Sequence, residues 1–248
     1  MRNIICLLTY QPSIIWLDFL STFKNYDIVI IVDDTLFDLS ILKEKYSSLR
    51  FFQINDDICE KAGYKNSSTA MEHKPTIAWD KAFYYFITQY PRDKIKQIWF
   101  MEDDVYFYDE NVLINLDNSH LSADLLCKKY KKYNKPKHKL KHKWHWDKFD
   151  IECNQPLYAS MICVCRLSLK MLIEIQNYIN NYNTLTFIEA LLPTLCLKKK
   201  LIFKSNNKFN NIIWRKKYTK ENIDKINFFH PIKETNIHYE FRNILYYI

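Results

Sequence analysis

Three apolar runs, at residues 4–8, 28–32 and 98–101, stop abruptly at polar groups: Thr9-Tyr10, Asp33-Asp34 and Glu102-Asp103-Asp104. Each is too short to cross a membrane, and nothing in the chain reaches the ~18 consecutive apolar residues a spanning helix needs. They read as buried strands, over 3–9, 26–32 and 96–101 in full. Apolar periodicity at 16–23 and 39–46 predicts short helices between them, and 50–54 predicts a further strand. This order predicts an α/β fold, a mixed and mostly parallel central sheet flanked by helices. Ligands in such sheets bind beyond the carboxyl ends of the strands, so the three polar endings mark the expected site.

The third ending carries the most chemistry. Glu102, Asp103 and Asp104 are like charges that repel, and a cation or a ligand hydroxyl against them relieves that repulsion. Alternation along a strand puts Glu102 and Asp104 on one face and Asp103 on the other. As hard oxygen donors they suit Mn2+ or Mg2+, which commonly take one or two protein carboxylates plus phosphate oxygens. Asp104, farthest beyond the strand, is the first choice for the metal. An acidic loop after a buried strand is the plainer alternative.

Glycine occurs once in 248 residues, at Gly63. Glycine-rich phosphate cradles need glycine where backbone approaches phosphate, so both the dinucleotide fingerprint and the P-loop are excluded. Any phosphate bound here must be held by metal and side chains. Seven cysteines without a CxxC pair fit a reduced compartment, and Cys163 and Cys165 alternate along a predicted strand as core residues. The apolar start of the chain reads as a first strand, not a leader. A cytoplasmic setting, bacterial or viral, is therefore expected.

Further along, the pattern predicts a helix from about 75 to 90 beginning at Pro75, with Lys74 at its start and Lys81 on its polar face. It predicts one strand over 156–165, a helix capped by Ser168, a short helix over 186–192 broken at Pro193, a strand at 201–203 and a last helix carrying Ile237, Phe241 and Leu245. No repeat or linker divides the chain, so 1–248 reads as one domain, with a nucleotide-binding half over 1–105 and an acceptor-binding half over 106–248. Net charge is +8, and residues 128–148 hold ten lysines and three histidines among Tyr130, Tyr133, Trp144 and Trp146.

An apolar strand ending in Glu102-Asp103-Asp104 and resuming in Val105-Tyr106-Phe107 resembles the Asp-x-Asp motif of the GT-A (Rossmann-like) nucleotide-sugar glycosyltransferases. The likeness extends over most of residues 1–235. It implies that Thr9, Tyr10, Asp33 and Asp34 contact base and ribose, with Glu102 and Asp103 near the ribose and sugar. The family's late histidine, followed by a lysine that reaches the diphosphate, is matched by His230-Pro231-Ile232-Lys233. His230 is then a metal ligand beside Asp104, and Lys233 a diphosphate contact; Lys74, at the start of the 75–90 helix, is a separate phosphate candidate. Here the first acidic position is Glu, a departure from the motif. The implied activity is metal-dependent sugar transfer from a nucleotide-diphosphate sugar, UDP-linked, to a glycan or protein hydroxyl.

Inverting transfer needs a base for the acceptor hydroxyl. Glu189 is the candidate, in competition with a capping box formed by Thr186 and Glu189. His230 also reads as a turn-capping histidine, and Lys74 and Lys233 as solvated lysines. Trp144 and Trp146 suit stacking on an acceptor sugar or anchoring of the basic loop 127–148. Two alternatives stand beside glycosyl transfer: a metal-dependent nucleotidyltransferase, which usually brings a glycine-rich loop, and a nucleic-acid-binding protein acting through 128–148. Nucleic acid is the less favoured partner.

Overall fold

The computed structural model describes residues 2–68, 74–134 and 156–242. The amino-terminal half runs β1 (Arg2–Thr9), α1 (Ile14–Ser21), β2 (Tyr26–Val32), α2 (Ser40–Lys45), β3 (Arg50–Gln53), α3 (Asp56–Lys61), α4 (Ala78–Tyr84) and β4 (Ile95–Glu102). The remainder runs α5 (Glu110–Ser119), β5 (Leu125–Cys127), β6 (Lys131–Tyr133), β7 (Leu157–Ala159), β8 (Val164–Ser168), α6 (Leu169–Tyr182), α7 (Ile188–Lys198), β9 (Phe203–Ser205), β10 (Asn211–Ile212), β11 (Phe229–His230) and α8 (Thr235–Arg242).

The central sheet has seven strands in the order β3-β2-β1-β4-β8-β5-β9. From β3 to β4 all pairs are parallel, β8 runs against both β4 and β5, and β9 is parallel to β5. This is the expected α/β class with a mixed, mostly parallel sheet. Alternation along β1 sends Ile4, Cys6 and Leu8 into the cluster under α4, α6 and α7, and Ile5 and Leu7 into the cluster under α1 and α5. The apolar runs are continuous because both faces are covered. Arg166 of β8, fully buried, pairs with Asp117 of α5 at 2.5 Å and staples one face of the sheet. Among the described residues no helix is long and apolar enough to cross a membrane.

Several expected elements differ in instructive ways. The 75–90 helix begins only at Ala78, where the Asp80 carboxylate accepts the Ile77 N–H at 2.9 Å, and it ends in a wider turn at Tyr85–Gln89. Lys81 is not on a polar face: it is fully buried, because Asp33 and Asp56 meet it at 2.9 and 2.6 Å. The single strand over 156–165 is interrupted between Ala159 and Val164, and α7 continues through Pro193. These last two facts meet at one carbonyl. Proline lacks the N–H that would bond the carbonyl four residues earlier, here that of Glu189, and the Ser160 N–H takes that carbonyl instead at 2.8 Å. Sequence periodicity also gave no sign of α3, α5 or β5.

Candidate functional site

The carboxyl ends of β1 and β4 are tied together by backbone. The Asp103 N–H donates to the Leu8 carbonyl at 3.1 Å, and the Glu102 N–H to the Cys163 carbonyl at 2.9 Å. Beyond β4, the Tyr106 N–H and carbonyl pair with Phe229, and the Ile232 N–H donates to the Asp104 carbonyl at 2.7 Å. This late segment, with a cis bond between His230 and Pro231, carries His230 to the acidic cluster. His230 Nε2 lies 3.3 Å from Asp104 Oδ1 and 4.0 Å from Glu102 Oε2.

The three carboxylates divide as strand alternation requires. Asp103 turns back to accept the Thr9 hydroxyl at 2.5 Å. Glu102 and Asp104 face His230, with the indole N–H of the buried Trp79 on Glu102 Oε1 at 2.8 Å. Loss of water, and then the charge of Asp104, push the Glu102 carboxyl up to about 7 against the Trp79 hydrogen bond and His230. Burial raises Asp103 despite its bond from Thr9. For His230 burial opposes the charged form, but the hydrogen bond and charges from Asp104 and Glu102 together prevail and raise it. The cluster is thus a place where negative charge is crowded and poorly hydrated.

Glu189 joins this cluster from α7. Thr186 is not the residue at the cap of α7, which is Phe187, and among the described residues Glu189 Oε1 accepts the Ile162 N–H at 3.0 Å. With its own carbonyl on Ser160, Glu189 clasps the 160–162 break through both main chain and side chain. Burial pushes its carboxyl up to about 7, against the Ile162 bond. Glu102, Asp104, Glu189, His230 and Lys233 line one cavity of about 500 Å³, together with Arg215. A second cavity of about 530 Å³ shares Phe187, Glu189 and Trp214 with the first and is rimmed by Lys128, Lys129 and Lys131.

The other expected residues lie outside this cavity. The Asp33 and Asp34 N–H groups donate to the Thr9 and Tyr10 carbonyls. Asp33 is closed by Lys74 at 2.6 Å and Lys81 at 2.9 Å. The carboxylate of Asp34 accepts Gln11 at 2.6 Å and the Leu36 N–H at 3.0 Å, and these bonds hold it below the usual carboxylate range. Tyr10 is exposed, with the Lys74 ammonium 5.7 Å from its ring centre. Trp144, Trp146 and residues 135–148 of the basic loop lie outside the described residues. Trp214 and Arg215 carried no signal in the sequence, being an exposed pair after a two-residue strand. Cys163, expected as a core side chain, is buried in the core and also forms a wall of the cavity, as does the buried Trp79.

No protein-family model and no curated protein matches this chain. Among solved structures it is similar to mouse xyloside xylosyltransferase 1 in its apo form, at 10% identity, over 94% of this chain and 98% of that one, with a TM-score of 0.45. It is also similar to 4-diphosphocytidyl-2C-methyl-D-erythritol synthase from Anaerococcus prevotii, at 13% identity, over 83% and 86% of the two chains, with a TM-score of 0.46.

Proposed function

We propose that the protein is a metal-dependent glycosyltransferase of GT-A type that takes a sugar from a nucleotide-diphosphate donor, UDP-linked, and passes it to a glycan or protein hydroxyl. One observation carries this: Asp104, Glu102, His230, Glu189, Lys233 and Arg215 meet in a single cavity beyond the carboxyl end of the central strand. The donor set fits a divalent cation, since two crowded carboxylate side chains and an imidazole converge within 4.0 Å. Asp104 and His230 would hold Mn2+ or Mg2+, which supplies charge neutralisation for the departing diphosphate.

The remaining roles follow from position and charge. Lys233 and Arg215 form no ion pair among the described residues and stand at the cavity as cations for phosphate oxygens. Tyr10, Asp33, Asp34, Lys74, Thr9 and Asp103, at the ends of β1, β2 and β4, form the nucleoside side. Glu189 sits at the seam of the two cavities, so its carboxylate faces a donor in one and an acceptor in the other. Near neutral pH it exists partly ionised, which suits a general base that removes the acceptor hydroxyl proton. The lysine-rimmed second cavity takes the acceptor, with Trp214 as a surface for a sugar ring; Trp144 and Trp146, outside the described residues, are proposed as further acceptor-stacking side chains.

Titration with UDP in the presence and absence of Mn2+ tests the proposal, followed by a panel of nucleotide sugars scored for metal-dependent release of UDP. Metal-dependent UDP binding and hydrolysis of one donor are expected. Release of pyrophosphate would point instead to nucleotidyl transfer. Absence of any metal-dependent nucleotide binding would remove the proposal, and steeply salt-sensitive binding of nucleic acid would replace it.

A further inference from the structure

Cys163 is a sulfur donor at the carboxylate cluster that no step above uses. It lies at the break between β7 and β8, is 5% exposed, and is held beside Glu102 by the backbone bond from Glu102 to its carbonyl. Its Sγ, a carboxylate oxygen of Glu102 and a ring nitrogen of His230 all lie within 4.8 Å of one another. A four-coordinate ion with bonds of about 2.0–2.3 Å keeps its ligands roughly 3.5 Å apart, so small side-chain rotations close this set on a cation. His230 is well placed for it, 95% buried and with Nε2 turned to the carboxylates, 3.3 Å from Asp104 and 4.0 Å from Glu102. The cysteines at 6, 59, 127, 165 and 196 are also buried and free, and none joins such a group among the described residues.

We propose that Cys163, grouped with Glu102 and His230, is a further protein ligand to the cation assigned above to Asp104 and His230, and that it turns the site from Mn2+ or Mg2+ toward Zn2+ or Co2+. The inference rests on the reading of the cavity as a metal-dependent transfer site. Its physical basis is the donor chemistry. Carboxylate and water sets suit Mg2+ and Mn2+, whereas a set that adds sulfur to imidazole and carboxylate suits zinc, and Mn2+ stands at the weak end of the affinity order for divalent ions. The bound form is the thiolate, so the S–H proton is released to solvent as the sulfur–metal bond forms. No oxidant or reductant takes part.

Two measurements test this on the full chain. Titration of metal-free protein with Co2+ should produce a near-ultraviolet thiolate-to-cobalt charge-transfer band. The band should be lost in Cys163→Ser, kept in Cys59→Ser, removed by Zn2+ and unaffected by excess Mg2+. X-ray absorption at the zinc edge of loaded wild-type protein needs no variant, and should show a sulfur neighbour at about 2.3 Å. A cobalt band that survives Cys163→Ser, or a zinc site with only nitrogen and oxygen neighbours, overturns the proposal. Metal-dependent release of UDP with no sulfur neighbour would overturn the Cys163 assignment and leave the transfer reading standing. A sulfur neighbour without nucleotide binding would do the reverse.

Discussion

Two strand ends in this protein carry adjacent carboxylates, and they are treated in opposite ways. At the end of β2, Asp33 is met by two lysines, one of them fully buried, and both oxygens of Asp34 have donors. At the end of β4, Asp103 turns back to Thr9 and Glu102 takes one bond from Trp79, yet Glu102 and Asp104 still face one another across His230 with no lysine or arginine paired to them among the described residues. The cations of that second region, Lys233 and Arg215, stand at the cavity without ion pairs among the described residues. Charge compensated within the fold builds the fold. Charge left crowded at a cavity is a place for a ligand.

The comparison is broken most directly by removing its cations and its anions in turn. Lys81→Met leaves Asp33 and Asp56 without their buried partner, and removing one member of such a group costs about 3–5 kcal/mol, to be read from urea unfolding. Asp104→Asn should cost little stability, because the relief of its repulsion with Glu102 offsets the charge lost beside His230, yet abolish metal-dependent UDP binding. Equal destabilisation by the two substitutions would erase the distinction between the two strand ends. Glu189→Gln is the next largest effect. The amide oxygen still accepts the Ile162 N–H, so stability and donor binding should hold while transfer falls roughly 10²–10⁴-fold. Near-normal turnover would remove Glu189 from the mechanism.

How far these regions were legible in the sequence follows the same division. The strands, their polar ends and the shared face of Glu102 and Asp104, opposite Asp103, are local consequences of apolar runs and alternation, and they stand in the structure. The joining of His230 and Lys233 to that cluster was legible only through resemblance, since the pairing of Tyr106 with Phe229 links residues far apart in the chain. Lys81 was misplaced because helical periodicity sees only its own helix, and cannot see Asp33 and Asp56 arriving from β2 and α3. The Thr186 and Glu189 pattern suggested a cap for a similar reason. It does not include Pro193, whose missing N–H frees the Glu189 carbonyl for Ser160 and helps commit this residue to the 160–162 break.

pH separates the two roles of raised carboxyls. Asp80, which holds Ser67 and the start of α4, is pushed up to about 7 by burial, as is Glu189. Each therefore binds more protons folded than unfolded between the ordinary carboxylate range and about 7. Their contribution to stability is full below that ordinary range and is lost as pH rises through about 7. Transfer has the opposite requirement, since a base must be ionised. Thermal stability should thus fall, and turnover rise, as pH is taken upward through neutrality. Glu189→Gln should remove part of the stability slope, and the part from Asp80 should stay. Turnover that declines in parallel with stability would count against Glu189 as the base.

The smallest effect expected is at Lys74, and it sharpens the comparison most finely because this residue closes Asp33 at the end of β2 and also borders the proposed nucleoside side at Tyr10. Its side chain is 31% exposed, and its partner Asp33 keeps Lys81 when Lys74 is removed. A partly solvated ion pair of this kind contributes about 0–1 kcal/mol, so Lys74→Ala should barely shift the unfolding midpoint. The same ammonium lies near the exposed ring of Tyr10, on the side assigned to the nucleoside diphosphate. Donor affinity should therefore weaken a few-fold, with the loss shrinking as salt is raised. Calorimetric titration at two ionic strengths measures it. Unchanged affinity together with lost stability would make Lys74 a strut like Lys81, and would confine donor binding to the β4 end.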